Sequence, residues 1–171
     1  MVIPDDVRDR VTSYIKHQAT KSPPAIIDLV TTMQVRFLEI VAPLDAATVA
    51  RQPAPDEWSI HDLVRHVVSA ESGVAKLVHG LAHGERPDLK GVGIGSMVET
   101  GSYGVLLDQL RATNAALLDA IARLPAAPDT QTVAPHPFFG DLNCLEWATF
   151  QRVHDADHVQ HAEKILAALR A

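Results

Sequence analysis

Apolar residues recur three and four positions apart along four long stretches of the chain, the spacing that lines one face of an α-helix. In the first stretch Ile26, Ile27, Val30, Met33, Phe37 and Ile40 form the stripe, from Ala25 to about Val41. Ser22 stands before it as a cap, with Pro23 and Pro24 at the first helical positions. Pro43 ends this helix and Asp45 caps a single turn through Val49. The second stripe is Ile60, Leu63, Val64, Val67, Val74, Leu77, Val78 and Leu81, opened by Ser59 with Asp62 three residues on, a capping box with Asp in place of Glu. The third runs from Tyr103 to about Leu124 behind Ser102, with Val105, Leu106, Leu110, Leu117, Ile121 and Leu124 inward and Thr113 as the one polar member. The fourth follows Asn143 and Glu146, another capping-box pair, and carries Trp147, Phe150, Ile165 and Leu169. A shorter helix, Asp5 to His17, repeats Val7, Val11 and Ile15. Thr130 to Val133 is β-branched and reads as a short extended piece, too short to make a sheet.

These elements predict an all-α fold, a four-helix bundle with an extra N-terminal helix, in one domain spanning residues 1–171. With 171 residues and 47% apolar content the chain can bury a real core. A net charge of −6 without a Lys/Arg cluster counts against nucleic acid and anionic membranes as partners. With neither a signal-peptide run nor a membrane-length apolar stretch, the expected location is cytoplasmic. The one cysteine, Cys144, excludes an intrachain disulfide framework and makes thiol ligation of a metal improbable.

The chemistry concentrates in the fourth helix. At about 100° per residue, His154, His158 and His161 fall within an arc of roughly 60°, with the apolar residues in or beside it, so the imidazoles point into the core. Each buried imidazole carries a donor and an acceptor that need partners, and a metal ion satisfies several at once. His154 and His158 are also one turn apart, the spacing that lets two imidazoles reach one ion. On the second helix, His66 lies at the edge of the apolar face; alone it would read as a structural histidine, and the inward row opposite makes it a candidate third ligand. His61, His79 and His83 fall on the solvent side. The run Gly91-Val92-Gly93-Ile94-Gly95 is a weak match to a phosphate cradle, since no strand precedes it and no lysine follows, and it reads as a flexible connection.

Trp58-Ser59-Ile60 with His66 eight residues after the tryptophan, His136-Pro137-Phe138-Phe139-Gly140, Glu146-Trp147 and His154-x3-His158 together resemble the DinB/YfiT-like superfamily of metal-binding four-helix bundles, over roughly Ala25 to Leu169. The resemblance implies His66, His154 and His158 as metal ligands. Many relatives carry glutamine at the position of His161, which leaves that histidine as a fourth ligand, an orienting group or a plain core residue. It also implies a range of activities. Some relatives transfer or isomerise with a low-molecular-weight thiol such as mycothiol or bacillithiol, some are metal-dependent hydrolases, and others have no known activity. Three neutral imidazoles leave a dication uncompensated and positions open, the pattern of a catalytic site.

The leading expectation is therefore a metal-dependent enzyme of the thiol S-transferase type, with a divalent ion, zinc or nickel first, and a low-molecular-weight thiol as cosubstrate. The alternatives are metal-assisted hydrolysis and a non-catalytic stress protein whose ion staples the bundle. Asp62 is expected to orient His66, and Asp157 to orient His154 or His161, because a ligating imidazole usually gives its second N–H to an oxygen. Phe138, Phe139 and His136 are expected to wall the entrance. The expected partners are a small-molecule substrate and, as a homodimer, a second copy of the chain. Cys144, off the ligand face, reads as incidental.

Overall fold

The computed structural model describes residues 4–88, 95–99 and 101–170, so residues 91–94 of the glycine-rich run lie outside the described residues. In chain order the elements are α1 (Asp5–Gln18), α2 (Pro23–Val41), α3 (Ala46–Ala50), α4 (Ile60–Ala82), α5 (Tyr103–Ala122), β1 (Ala134–His136), β2 (Gly140–Leu142) and α6 (Cys144–Ala168). The caps set most of the starts. Ser59 accepts the Asp62 amide at 3.1 Å while the Asp62 carboxylate takes the Ser59 amide at 3.2 Å. Asn143 accepts from Leu145 and Glu146, and Glu146 returns to the Asn143 amide at 2.9 Å. Asp45 takes the Thr48 amide at 2.8 Å and Ser102 that of Val105 at 3.4 Å. Ser22 departs from expectation and makes no side-chain cap bond. Pro24, the second helical residue, lacks one of the N–H groups that a cap at this end would serve.

Helices α2, α4, α5 and α6 form the bundle, α4 lying between α5 and α6, α2 closing the other side against the same two, and α1 packing outside on α6. Two stretches differ from the pattern-based reading. The inner stripe of α5 is Leu106, Leu107, Leu110, Asn114, Leu117 and Ile121, which turns Val105 outward, 51% exposed. Residues 130–133 form no strand. The Asp129 carboxylate takes the amides of Gln131 and Thr132 and the Thr132 hydroxyl, folding this piece into a local turn. Pairing starts just after it, as an antiparallel hairpin with Ala134 opposite Leu142 and His136 opposite Gly140. Gly140 has φ 76°, which suits a residue without Cβ.

The core is divided. One apolar cluster gathers Ile15, Ile26, Val30, Leu77, Val78, Leu81, Leu117, Ile121, Leu142 and Trp147; the other gathers Phe37, Val41, Ile60, Leu63, Val64, Leu106, Leu110, Val159 and Ile165. Between them each bundle helix places buried polar side chains: Gln34, Glu71, Asn114, and Gln151 with Asp155. The shifted α5 stripe gives a direct test. Leu110→Ala, at a fully buried position, should lose about 2–5 kcal/mol of unfolding free energy in urea, whereas Val105→Ala should stay within about 0.5 kcal/mol of wild type.

Candidate metal centre

The second turn of α4 delivers His66 to the core, and successive turns of α6 deliver His154 and His158. Their ligand-capable nitrogens lie within 4.8 Å of one another. His154 Nε2 is 3.3 Å from His66 Nε2 and 3.0 Å from His158 Nε2. Tetrahedral bonds of about 2.0–2.1 Å would separate ligand nitrogens by about 3.3 Å, so these separations suit a metal ion held by the three imidazoles. Burial holds His66 and His154 down to about 4, and drives His158 further below the usual imidazole range, with the fields of the other histidines acting in the same direction on His66 and His158. The rings are therefore neutral near pH 7, the form in which imidazole donates a lone pair.

The orientation of His66 is forced. Its Nδ1 meets the Ser96 carbonyl at 2.9 Å, and a carbonyl only accepts, so the hydrogen sits on Nδ1 and Nε2 faces the cluster as a lone pair. Residues 95–99 are tied along α4 for this purpose. Arg65 Nε donates to the Val98 carbonyl at 2.7 Å, the Val98 amide donates back to the Arg65 carbonyl at 3.3 Å, and the Ser69 and Ser96 hydroxyls lie 3.0 Å apart. Asp62, expected in this role, is engaged elsewhere. As the third residue of α4 its carboxylate turns back to the helix start, on the Ser59 amide and hydroxyl, with Arg65 at 3.5 Å.

On the other side of the cluster, Asp157 is exposed, and the carboxyl nearest His154 belongs to Asp155, 3.7 Å from Nδ1 and 2% exposed. The Gln151 amide bridges the two, 2.5 Å from Asp155 Oδ1 and 3.4 Å from His154 Nδ1. Behind them Glu71 is fully buried. Gln34 donates to its Oε1 at 2.9 Å and the Thr113 hydroxyl lies 3.1 Å from its Oε2; Asn114, with its amide nitrogen turned inward, donates to both oxygens. Burial, then the field of Asp155, lifts Glu71 well above the ordinary carboxylate range, and burial lifts Asp155 to about 8. The signal for Glu71 was present in the sequence, because it occupies the gap between Val67 and Val74 in the otherwise apolar α4 stripe.

The remaining expected residues take distinct places. His161 is half-buried, its ring stacked on Trp58 at 5.8 Å, and Trp58 in turn lies 5.1 Å from His66. His136 sits among Phe138, Phe139, Trp147 and Phe150, and the Phe150 ring is 5.8 Å from His154. Cys144 is fully buried, its thiol giving a 3.4 Å hydrogen bond to the Asp129 carbonyl, and burial raises its pKa. His79 and His83 are exposed and His61 is half-buried beside Tyr103. Among the described residues no helix is long and apolar enough to cross a membrane.

Comparison with known proteins agrees with this architecture. A family model described as the DinB superfamily matches residues 29–162. The crystal structure of TT2238, a four-helix bundle protein, superposes with a TM-score of 0.64 at 21% identity, over 84% of this chain and 99% of that one. No curated protein matches the chain.

The buried carboxyls fix the sign of one pH response. Both carboxyls are held above the ordinary carboxylate range, so the stability they confer is complete below pH ~4 and is lost as pH rises, for Asp155 through about 8. The buried imidazoles, lowered from 6.5, act in the opposite direction and only as pH falls below that value. Between pH 6.5 and 8 the metal-free protein should lose stability as pH rises, and Glu71→Gln should flatten that decline. Urea midpoints across this window measure it; equal slopes would refute the assignment.

Proposed function

The chain belongs to the DinB superfamily, and from that premise we propose that it is a metal-dependent enzyme of the thiol S-transferase type, holding a divalent ion, zinc or nickel, on His66, His154 and His158. The convergence of three neutral imidazoles on one point carries this reading. Such an ion, when bound, lowers the pKa of a coordinated thiol or water and supplies a nucleophile near neutral pH.

The chain's own groups support a reactive group brought from outside. Its single thiol, on Cys144, is buried against the Asp129 carbonyl, remote from any role as nucleophile. Three uncharged donors leave the charge of a dication to be balanced by what binds next, which favours an anionic ligand such as a thiolate. The Ser96 carbonyl fixes the His66 tautomer, so one of the three donors is oriented before anything arrives. A low-molecular-weight thiol as cosubstrate and a small electrophile as acceptor complete the reading. It also places the protein in the cytoplasm, where such thiols stay reduced.

Protein purified without a histidine tag should contain about one zinc or nickel per chain, and His158→Ala should weaken metal affinity by more than about 100-fold. Elemental analysis and competition with a chromogenic chelator measure both. Loaded protein should then accelerate conjugation of a small thiol to chlorodinitrobenzene, with the rate lost in His158→Ala. Metal binding accompanied by a higher melting temperature and no thiol-dependent turnover would remove the transferase reading and leave a stapled bundle.

A further inference from the structure

His136, at the end of β1, is held in one orientation and one tautomer. Its Nδ1 accepts the backbone N–H of Phe138 at 3.2 Å and lies 3.3 Å from that of Phe139. A nitrogen that accepts carries no hydrogen, so in the neutral ring the hydrogen sits on Nε2. Burial, and then the field of His154, keeps the ring neutral by lowering its pKa to about 4. Phe139 stacks on it at 4.7 Å, and Phe150 and Trp147 lie against it at 4.4 and 5.3 Å, so the ring cannot swing aside. Swapping tautomers would strand the backbone donors of the hairpin turn, at about 1–3 kcal/mol for each buried group. Among the described residues no group accepts a hydrogen bond from Nε2.

The ring is also close to the three-histidine cluster. It rests on Phe150, which sits one turn before His154 on α6 with its ring 5.8 Å from that histidine. The hairpin therefore keeps a neutral N–H donor one aromatic ring away from His154, with its lone pair already committed to the backbone. Such a group can give a hydrogen bond and cannot take up a proton without breaking the turn.

We propose that His136 contacts the substrate, its Nε2–H donating to an oxygen acceptor, a carbonyl or carboxylate, on the small molecule that occupies the three-histidine centre. The inference rests on the metal reading of that centre and narrows it to substrates that carry such an oxygen next to the reacting atom. His136 acts as a fixed donor, with no role as a general base.

Zinc-loaded protein titrated by calorimetry with two probes tests this, acetate carrying the oxygen and ethanethiol lacking it. His136→Phe keeps the aromatic volume and should lose about tenfold in acetate affinity with ethanethiol affinity within about twofold, while His136→Gln, which restores an N–H, should recover part of the loss. Equal losses for both probes would show a merely structural role, and unchanged acetate binding would show no contact; either overturns the proposal. Nitrogen-15 NMR of wild-type metal-free protein should show the Nε2–H tautomer for His136, and the Nδ1–H tautomer would overturn the proposal even if the variants fail to fold. A wild type that takes up no zinc would overturn the metal reading and this contact with it, whereas normal zinc loading with unchanged acetate binding in His136→Phe would overturn the contact alone.

Discussion

A carboxyl group with no exposed surface lies midway along the bundle, and satisfying it constrains all four long helices. Glu71 on α4 takes its hydrogen bonds from Gln34 on α2 and from Thr113 and Asn114 on α5, and Asp155 on α6 lies close enough for its charge to raise the Glu71 pKa. An unsatisfied group at such depth costs about 1–3 kcal/mol, more when charged, so any helix that slid by a turn would strand a partner. Apolar stripes alone tolerate such slips, because one leucine substitutes for another. A buried polar residue at a defined level fixes register, at some cost in stability. This explains why the core consists of two apolar clusters with a polar layer between them.

The same layer backs the histidine cluster. His66 lies little more than a turn before Glu71 on α4, and His154 is the neighbour of Asp155 on α6, so the contacts that set the relative height of these helices also set the separation of their imidazoles. The 3.3 Å between His66 and His154 is thus a consequence of core register as much as of the ligands themselves. Placing donors on two helices locked by a third interaction is how a bundle holds a site without dedicated loops.

Helix starts, the bundle and the three converging histidines were legible because they depend on local rules, namely caps, prolines and a 3.6-residue period. The orienting groups were not. The acceptor for His66 is a backbone carbonyl thirty residues away, which no side-chain pattern encodes. Asp157 was the expected partner on α6 because the helical wheel was centred on the histidines and aromatics. The buried arc is centred further round, on Gln151 and Asp155, whose polarity hid them from a reading that equates inward with apolar. Glu71, Gln34 and Asn114 escaped for the same reason, although each fills a regular position in its stripe. The hairpin went unforeseen because β-branching drew the reading to residues 130–133 as a short extended piece, where Asp129 claims the amides.

The two halves of the cluster are supported with different rigidity. His154 and His158 project from a 25-residue helix with a capping box at its start and the whole bundle against it. His66 also sits on a helix, yet the direction of its ring depends on the Ser96 carbonyl, which belongs to a connection and is fastened through Arg65 and Ser69. Elements of regular structure hold a side chain to tighter tolerance than loops do, and loops have lower local stability. Disorder at the centre should therefore begin at His66, through loss of the Ser96 acceptor, before either ligand on α6 moves. Arg65 and Ser69 belong to the centre in this indirect sense, since through Ser96 they decide which nitrogen of His66 faces the other two histidines.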